Sequence, residues 1–140
     1  MTLVEELKKI VKGEVTFDEE TLKKYSRDAS LFEVRPQVVV FPKDREDLKS
    51  LVTFVSRPQF PVPNSQFPKL SLTARSAGTD MTGGPLNESI ILDFTKHFSQ
   101  IGEVCGEEIT AEPGVYYRDF EKKTLEKGMM MPSYPASREI

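Results

Sequence analysis

Arg75-Ser76-Ala77-Gly78-Thr79-Asp80-Met81-Thr82-Gly83-Gly84-Pro85 is the stretch on which the reading of this chain turns. Its residues are mostly small, and glycine at 78, 83 and 84 allows tight backbone turns and close approach of a ligand. Successive backbone N–H groups can converge on an anion where no side chain blocks the way, and the hydroxyls of Ser76 and Thr79 can add donors. Such a loop suits phosphate, although a glycine-rich turn can also be a plain connection between strands. Its spacing is neither the G-x-x-x-x-G-K-S/T of P-loop NTPases nor the G-x-G-x-x-G that opens a Rossmann helix. A nucleotide would therefore need a third class of loop.

Working outward, Leu70 to Ala74 alternates apolar and polar residues before the loop, and Ser89 to Phe94 is strongly apolar after it, so both read as strands. Upstream, Val38-Val39-Val40-Phe41 is a β-branched and aromatic run closed by Pro42, the pattern of a strand buried on both faces. Asp44 offers an N-cap to a helix whose stripe is Leu48, Leu51, Val52 and Val55. Near the N-terminus, Val4, Leu7, Ile10 and Val11 recur at helical spacing behind a Thr2/Glu5 capping box, and Gly13 ends that helix. Asp18 caps a second short helix through Leu22 and Tyr25, and the two helices are expected to form a packing flap.

Residues 57–69 hold four prolines, so an irregular loop pinned by Phe60 and Phe67 is expected. Glu107 to Glu112 alternates around Ile109 and Ala111 and reads as a further strand. Residues 116–127 read as a helix ended by Gly128, with Met129-Met130-Met131 as a short apolar strand entering the core.

The chain has 140 residues, 29% charged and 38% hydrophobic, enough for one globular domain or one and a fraction. A net charge of −3 argues against a nucleic-acid partner. Lys8-Lys9 and Lys122-Lys123 read as solvated helix faces. Cys105 stands alone, which leaves no disulfide framework and no cysteine-based metal site, and a reducing, cytoplasmic setting is the expectation. Apolar runs are far shorter than the roughly 20 residues of a membrane span, and the N-terminus lacks a secretion signal. His97 has no acidic or cysteine partners at useful spacing and reads as a surface turn residue, and Cys105 reads as an inert thiol in a turn.

Five motifs occur in order: Arg35-Pro36-Gln37-Val38-Val39-Val40-Phe41-Pro42, Ala74-Arg75-Ser76-Ala77-Gly78-Thr79, Ile91-Leu92-Asp93, Ala111-Glu112-Pro113-Gly114-Val115 and Pro132-Ser133-Tyr134-Pro135-Ala136-Ser137-Arg138-Glu139. Together they resemble the FAD-binding domain of the vanillyl-alcohol oxidase and p-cresol methylhydroxylase type, in particular the glycolate oxidase and D-lactate dehydrogenase group. The resemblance runs from Arg35 to Ile140. It implies an α+β fold, a small mixed sheet flanked by helices followed by the start of a second α/β lobe. The corresponding division is a helical segment over 1–34, a first FAD-binding lobe over 35–106 and the start of the second lobe over 107–140.

The resemblance also implies that Ala74, Arg75, Ser76, Ala77, Gly78, Thr79, Asp80 and Gly83 wrap the FAD diphosphate, and that Pro135, Ala136, Ser137 and Ile140 lie on the flavin side of the cleft. Arg75 and Arg138 either neutralise diphosphate or pair with an acid on the surface. Thr79 stands where flavinylated relatives carry histidine, which implies non-covalent FAD. The connection before the loop is longer than the family usually has. The family's next segment, a Thr-x-Gly-Gly stretch that completes the isoalloxazine pocket, is expected just beyond Ile140, so no catalytic base is assigned within this chain. The complete protein is expected to oxidise a small 2-hydroxy acid such as D-lactate or glycolate. The missing half would be supplied by a longer chain or another subunit. The alternative is a non-catalytic scaffold or interaction subunit that keeps the fold without binding flavin on its own.

Overall fold

The computed structural model describes residues 2–56 and 69–137. The proline-rich stretch with Phe60 and Phe67, together with Arg138 and Ile140, lies outside the described residues.

Among the described residues the sheet has four strands: β1 (Glu14–Thr16), β2 (Val38–Phe41), β3 (Leu72–Arg75) and β4 (Ile90–Asp93). Their order is β1-β2-β4-β3. β1 runs antiparallel to β2, and β2, β4 and β3 are mutually parallel, so the sheet is mixed. Four helices accompany it: α1 (Leu3–Ile10), α2 (Glu19–Tyr25), α3 (Arg45–Ser56) and α4 (Tyr117–Leu125).

The β2 and β4 runs are buried on both faces, as a continuous apolar run in a parallel sheet requires. On one face Val38, Val40, Ile90 and Leu92 pack with Leu7 of α1 and with Leu51 and Phe54 of α3. On the other, Val39 and Ile91 pack with Leu22 and Tyr25 of α2. Val38, Val39, Val40, Ile90 and Ile91 are fully buried, each removing side-chain surface from water that is worth about 1.5–3 kcal/mol. The first two helices thus cover opposite faces of one sheet, which goes beyond a flap.

β1 was not legible in the sequence, because three residues with only Val15 apolar carry no periodic signal. Its place is set by a joint. Asp47, at the first turn of α3 and 2% exposed, accepts from the backbone N–H of Lys12 (2.8 Å), Gly13 (2.9 Å) and Lys43 (2.8 Å). One carboxylate so ties the exit of α1, the start of β1 and the end of β2. Gly13 is required at this crossing, since a Cβ there would lie 2.0 Å from the Phe41 carbonyl oxygen.

Two expectations fail in the C-terminal part. Residues 107–112 add no strand to the sheet. They fold back on their own predecessor, with Glu112 N–H donating to Gln100 O, Gly102 N–H to Thr110 O, and Cys105 and Glu108 exchanging backbone bonds. Their alternation is satisfied by isolated antiparallel bridges at Ile101/Ala111 and Cys105/Glu108. Met129–Met131 enters no core: Met130 is 66% and Met131 42% exposed, with no strand beside them.

This part is docked at Gly114, whose N–H donates to Phe98 O at 2.8 Å and whose hypothetical Cβ would lie 2.0 Å from Phe94 O. The docking brings the start of α4 to the carboxyl ends of the parallel strands. Gly128, at φ +67°, ends the helical stretch with the left-handed turn that glycine adopts at low cost.

Candidate cofactor cleft

The loop after β3 leaves the carboxyl end of a parallel strand, where open α/β sheets place their ligands. It is shaped by Gly78 at φ +71° and Gly83 at φ +86°. The N–H groups of Ser76, Ala77, Gly78 and Thr79 donate to no described residue. These amides border a cavity of about 430 Å³ lined by Ala74, Ser76, Ala77, Gly78, Thr79, Asp80, Gly84 and Pro85 from the loop side and by Val115, Tyr116, Tyr117, Pro135 and Ser137 from the facing segment. Ser137 Oγ lies 3.5 Å from Thr79 Oγ1, so the two walls meet there.

Asp80 stiffens the loop. Its Oδ1 accepts from Thr82 N–H (2.6 Å), Thr82 Oγ1–H (2.7 Å) and Gly84 N–H (3.2 Å). The Thr82 side-chain and backbone bonds, followed by those of Gly84, hold its carboxyl below the usual value. With that oxygen occupied in an Asx-type turn, the carboxylate braces the loop, whereas the free amides sit earlier, at 76–79.

Arg75 is 9% exposed and forms no ion pair with an acid among the described residues. Its guanidinium carbon lies 5.0 Å from the centroid of the Tyr25 ring, its Nη2 donates to Arg27 O at 2.8 Å, and its Nη1 is buried with no hydrogen-bond partner. Arg75 and Ala136 line a second, larger cavity of about 830 Å³ that shares Ala77, Gly78, Thr79 and Asp80 of the loop with the first, together with Arg27, Asp28 and Ala29. Asp28 Oδ2 there is likewise buried and unpartnered. Gly83 lines neither cavity and packs on Phe32, with room for a Cβ only 3.0 Å from that ring.

Of the residues singled out in the sequence, Ala74 to Asp80 and Pro135 to Ser137 are therefore brought together around the two cavities, and Gly83 serves the loop's shape. Sequence reasoning missed Tyr25, Asp28, Asp93, Tyr116 and Tyr117. Tyr116 and Tyr117 follow directly on the Pro113-Gly114-Val115 turn and could have been carried to the cleft from it. Asp93 closes the Ile91-Leu92-Asp93 motif and stands opposite Arg75 in the sheet, whereas Tyr25 and Asp28 carry no local pattern, since they reach the loop only through the packing of α2 on the sheet.

Tyr25 O–H donates to Asp93 Oδ2 at 2.7 Å, while Asp93 Oδ1 accepts from Thr95 N–H (2.7 Å) and Oγ1–H (2.6 Å). Burial, followed by the hydrogen bond to Asp93, pushes the Tyr25 phenol well above its ordinary value of 10.0. A raised folded-state pKa stabilises fully below the unfolded-state value, and that stability falls as pH rises past it. The stability advantage of the wild-type chain over Tyr25→Phe is thus expected to be intact at neutral pH and to shrink above about pH 10. Urea midpoints of the two proteins across that range measure it, and a pH-independent difference would contradict the assignment.

A family model described as "FAD binding domain" matches residues 36–140. The chain belongs to that FAD-binding family. It is 30% identical over 97 residues to a D-2-hydroxyglutarate dehydrogenase from Pseudomonas putida, covering 69% of this chain and 9% of that protein. Against the Escherichia coli D-2-hydroxyglutarate dehydrogenase it is 30% identical over 92 residues, 64% of this chain and 8% of the relative. The chain thus spans less than a tenth of the length of these curated relatives.

Among solved structures it superposes on p-cresol methylhydroxylase with substrate bound at a TM-score of 0.72, with 18% identity over 96% of this chain and 26% of the other. Alkyldihydroxyacetonephosphate synthase gives 0.69 and 17%, covering 97% and 29%. The 4-ethylphenol oxidase of Gulosibacter chungangensis gives 0.68 and 19%, covering 89% and 24%. These likenesses establish the fold, the small mixed sheet with flanking helices expected from the sequence.

The residues present fit the FAD of this family. The loop offers consecutive amides that donate to no described residue, a glycine whose Cβ space is already taken by Arg75 (2.3 Å to Nη2) and a buried guanidinium nitrogen without a partner. That donor set suits an anion and would hold a diphosphate.

Proposed function

We propose that this chain is the FAD-diphosphate-binding portion of an oxidoreductase which, as a complete protein, oxidises a small 2-hydroxy acid. The reading is carried by the four amides of Ser76 to Thr79 beside the cleft, which have no acceptor among the described residues, in a loop that Gly78 turns and Asp80 braces. Ala74 to Asp80 would cradle the diphosphate, Arg75 would add positive charge nearby, and Pro135, Ala136, Ser137 and Ile140 would flank the flavin side. Thr79 offers a hydroxyl where covalent attachment would need a stronger nucleophile, which suits non-covalent FAD. When bound, FAD supplies the two-electron redox chemistry, and the residues of this chain bind and orient it.

The 2-hydroxy-acid class is supported by the D-2-hydroxyglutarate dehydrogenase relatives. D-Lactate, glycolate and longer 2-hydroxy acids all fall within it, and the residues that choose among them would belong to the remainder of a longer polypeptide or to another subunit. A reducing, cytoplasmic setting suits the exposed thiol of Cys105.

The test is FAD binding by the purified chain, followed through the flavin absorption spectrum and through competition by ADP. Saturable binding of FAD that ADP displaces is the expected result, since the diphosphate is common to both. A chain that binds neither FAD nor ADP would favour the scaffold reading instead.

A further inference from the structure

The family match begins at residue 36, yet one wall of the second cavity is built from residues before it. Ala29 N–H donates to Asp80 O at 3.1 Å, Arg27 O accepts from Arg75 Nη2 at 2.8 Å, and Phe32 fills the space beside Gly83. Three contacts thus join residues 27–32 to the start, middle and end of the glycine-rich loop. The guanidinium of Arg75 is the centre of this arrangement. It is clamped between the Tyr25 ring and the backbone of Gly78, where no Cβ can stand. The ring in turn is fixed by the buried bond from Tyr25 O–H to Asp93, which sits opposite Arg75 in the β3/β4 register.

We propose that the segment Tyr25–Phe32 is a working part of the cofactor cleft and that Tyr25 is a positioning residue: through Arg75 it fixes the Ser76–Thr79 amides in the conformation that receives diphosphate. The physical basis is that a guanidinium over an aromatic face holds its place while keeping its edge N–H groups free for other partners. Nη2 is spent on Arg27 O and Nη1 is left unpartnered. If the ring were lost, the guanidinium would be free to swing away from Gly78, and the loop would lose the surface against which its left-handed turn is packed. The inference rests on the function proposed above for what the loop binds, but the coupling of Tyr25 to the loop stands on contacts of its own.

The full chain is compared with Tyr25→Leu, Tyr25→Phe and Leu22→Ala, the last removing a buried residue from the same helix and the same apolar cluster (Leu22, Tyr25, Val39, Ile91) while leaving the Tyr25 ring in place over Arg75. FAD dissociation constants are measured by flavin fluorescence well below each melting temperature, and hydrogen exchange is followed over residues 75–84 in the ligand-free proteins. Tyr25→Leu is expected to weaken FAD at least about 10-fold and to speed exchange across the loop. Tyr25→Phe, which keeps the ring, is expected to change affinity less than about 3-fold while still lowering the melting temperature. Leu22→Ala should lower the melting temperature and leave both affinity and loop exchange near wild type.

Wild-type FAD affinity in Tyr25→Leu, or an equal loss in Leu22→Ala, would overturn the proposal. If the wild-type chain bound no FAD, the proposed function would fall, and the exchange data alone would decide the coupling: equal loop protection in Tyr25→Leu and Leu22→Ala would refute it. Should Tyr25→Leu not fold, Arg75→Met carries the same exchange test from the other partner. Faster exchange across 75–84 supports the clamp, and unchanged exchange overturns it.

Discussion

Gly78→Val is expected to weaken FAD binding by at least about 100-fold, close to 2.7 kcal/mol, and so to leave the chain colourless after gel filtration in FAD. Two effects act together. At φ +71° a β-branched residue is strained, which costs on the order of 1–3 kcal/mol. In addition, the Cβ would meet Arg75 Nη2 at 2.3 Å and its Cζ at 2.7 Å. The strain can be relieved only by moving the backbone that carries the free amides, or by expelling the guanidinium that packs against it. Either route disperses the donors a diphosphate needs. Gly106→Ala is the matched control, since Gly106 has φ +63° with nothing within 4 Å of a Cβ. It should lose a little stability and keep its FAD affinity. Equal flavin content in Gly78→Val and wild type would remove the loop from the binding site.

The second large effect is expected at Asp47. Asp47→Ala strips the acceptor from three backbone N–H groups at once, those of Lys12, Gly13 and Lys43. An orphaned buried donor costs about 1–3 kcal/mol, and water entering the space offsets part of it. A net loss of about 3–5 kcal/mol follows, a large share of the roughly 5–15 kcal/mol that holds a domain of this kind together. Thermal unfolding monitored by circular dichroism should show the midpoint falling by about 10–20 °C. Asp47→Asn is expected to be nearly as harmful, because both oxygens are used and the amide NH2 must face one or two of the donors. A midpoint within a few degrees of wild type in Asp47→Ala would show that the joint is not held by this carboxylate.

The contrast between these two residues shows where sequence reasoning reached and where it stopped. Gly78 was legible because its conformational role is local: small residues and glycines in succession allow a tight turn, and Gly78 makes one at φ +71°. Asp47 looked like an ordinary first-turn acid of an amphipathic helix, and its partners at 12 and 13 are some 35 positions away. The same divide separates β2, whose run Val38 to Phe41 announces a strand on both-face burial, from β1, which becomes a strand only because Asp47 and Gly13 lay it against β2. It also explains the two failed expectations. Alternation at 107–112 fixes a preference for extended backbone without naming the partner, and residues 100–105 took that role. The Met129–Met131 run was apolar enough for a core that the fold does not offer at that place.

The sequence by itself determined the elements that depend on near neighbours. These are the capping box on α1, the apolar stripes, the doubly buried strand at Val38 to Phe41, the apolar strand within Ser89 to Phe94, and a glycine-rich loop within an ordered set of motifs matching an FAD-binding domain. Only the tertiary structure decided that the N-terminal segment contributes an edge strand and a wall of the cleft. It alone showed that Arg75 is buried against the Tyr25 ring, and that residues 115–117 with Pro135 and Ser137 face the loop across a cavity. The physical reason is range. Capping, periodicity and turn chemistry act over a few residues and leave their mark in local sequence. The clamp on Arg75 and the joint at Asp47 arise where distant segments meet on the faces and ends of one sheet, and their members are chosen by packing that no local pattern records.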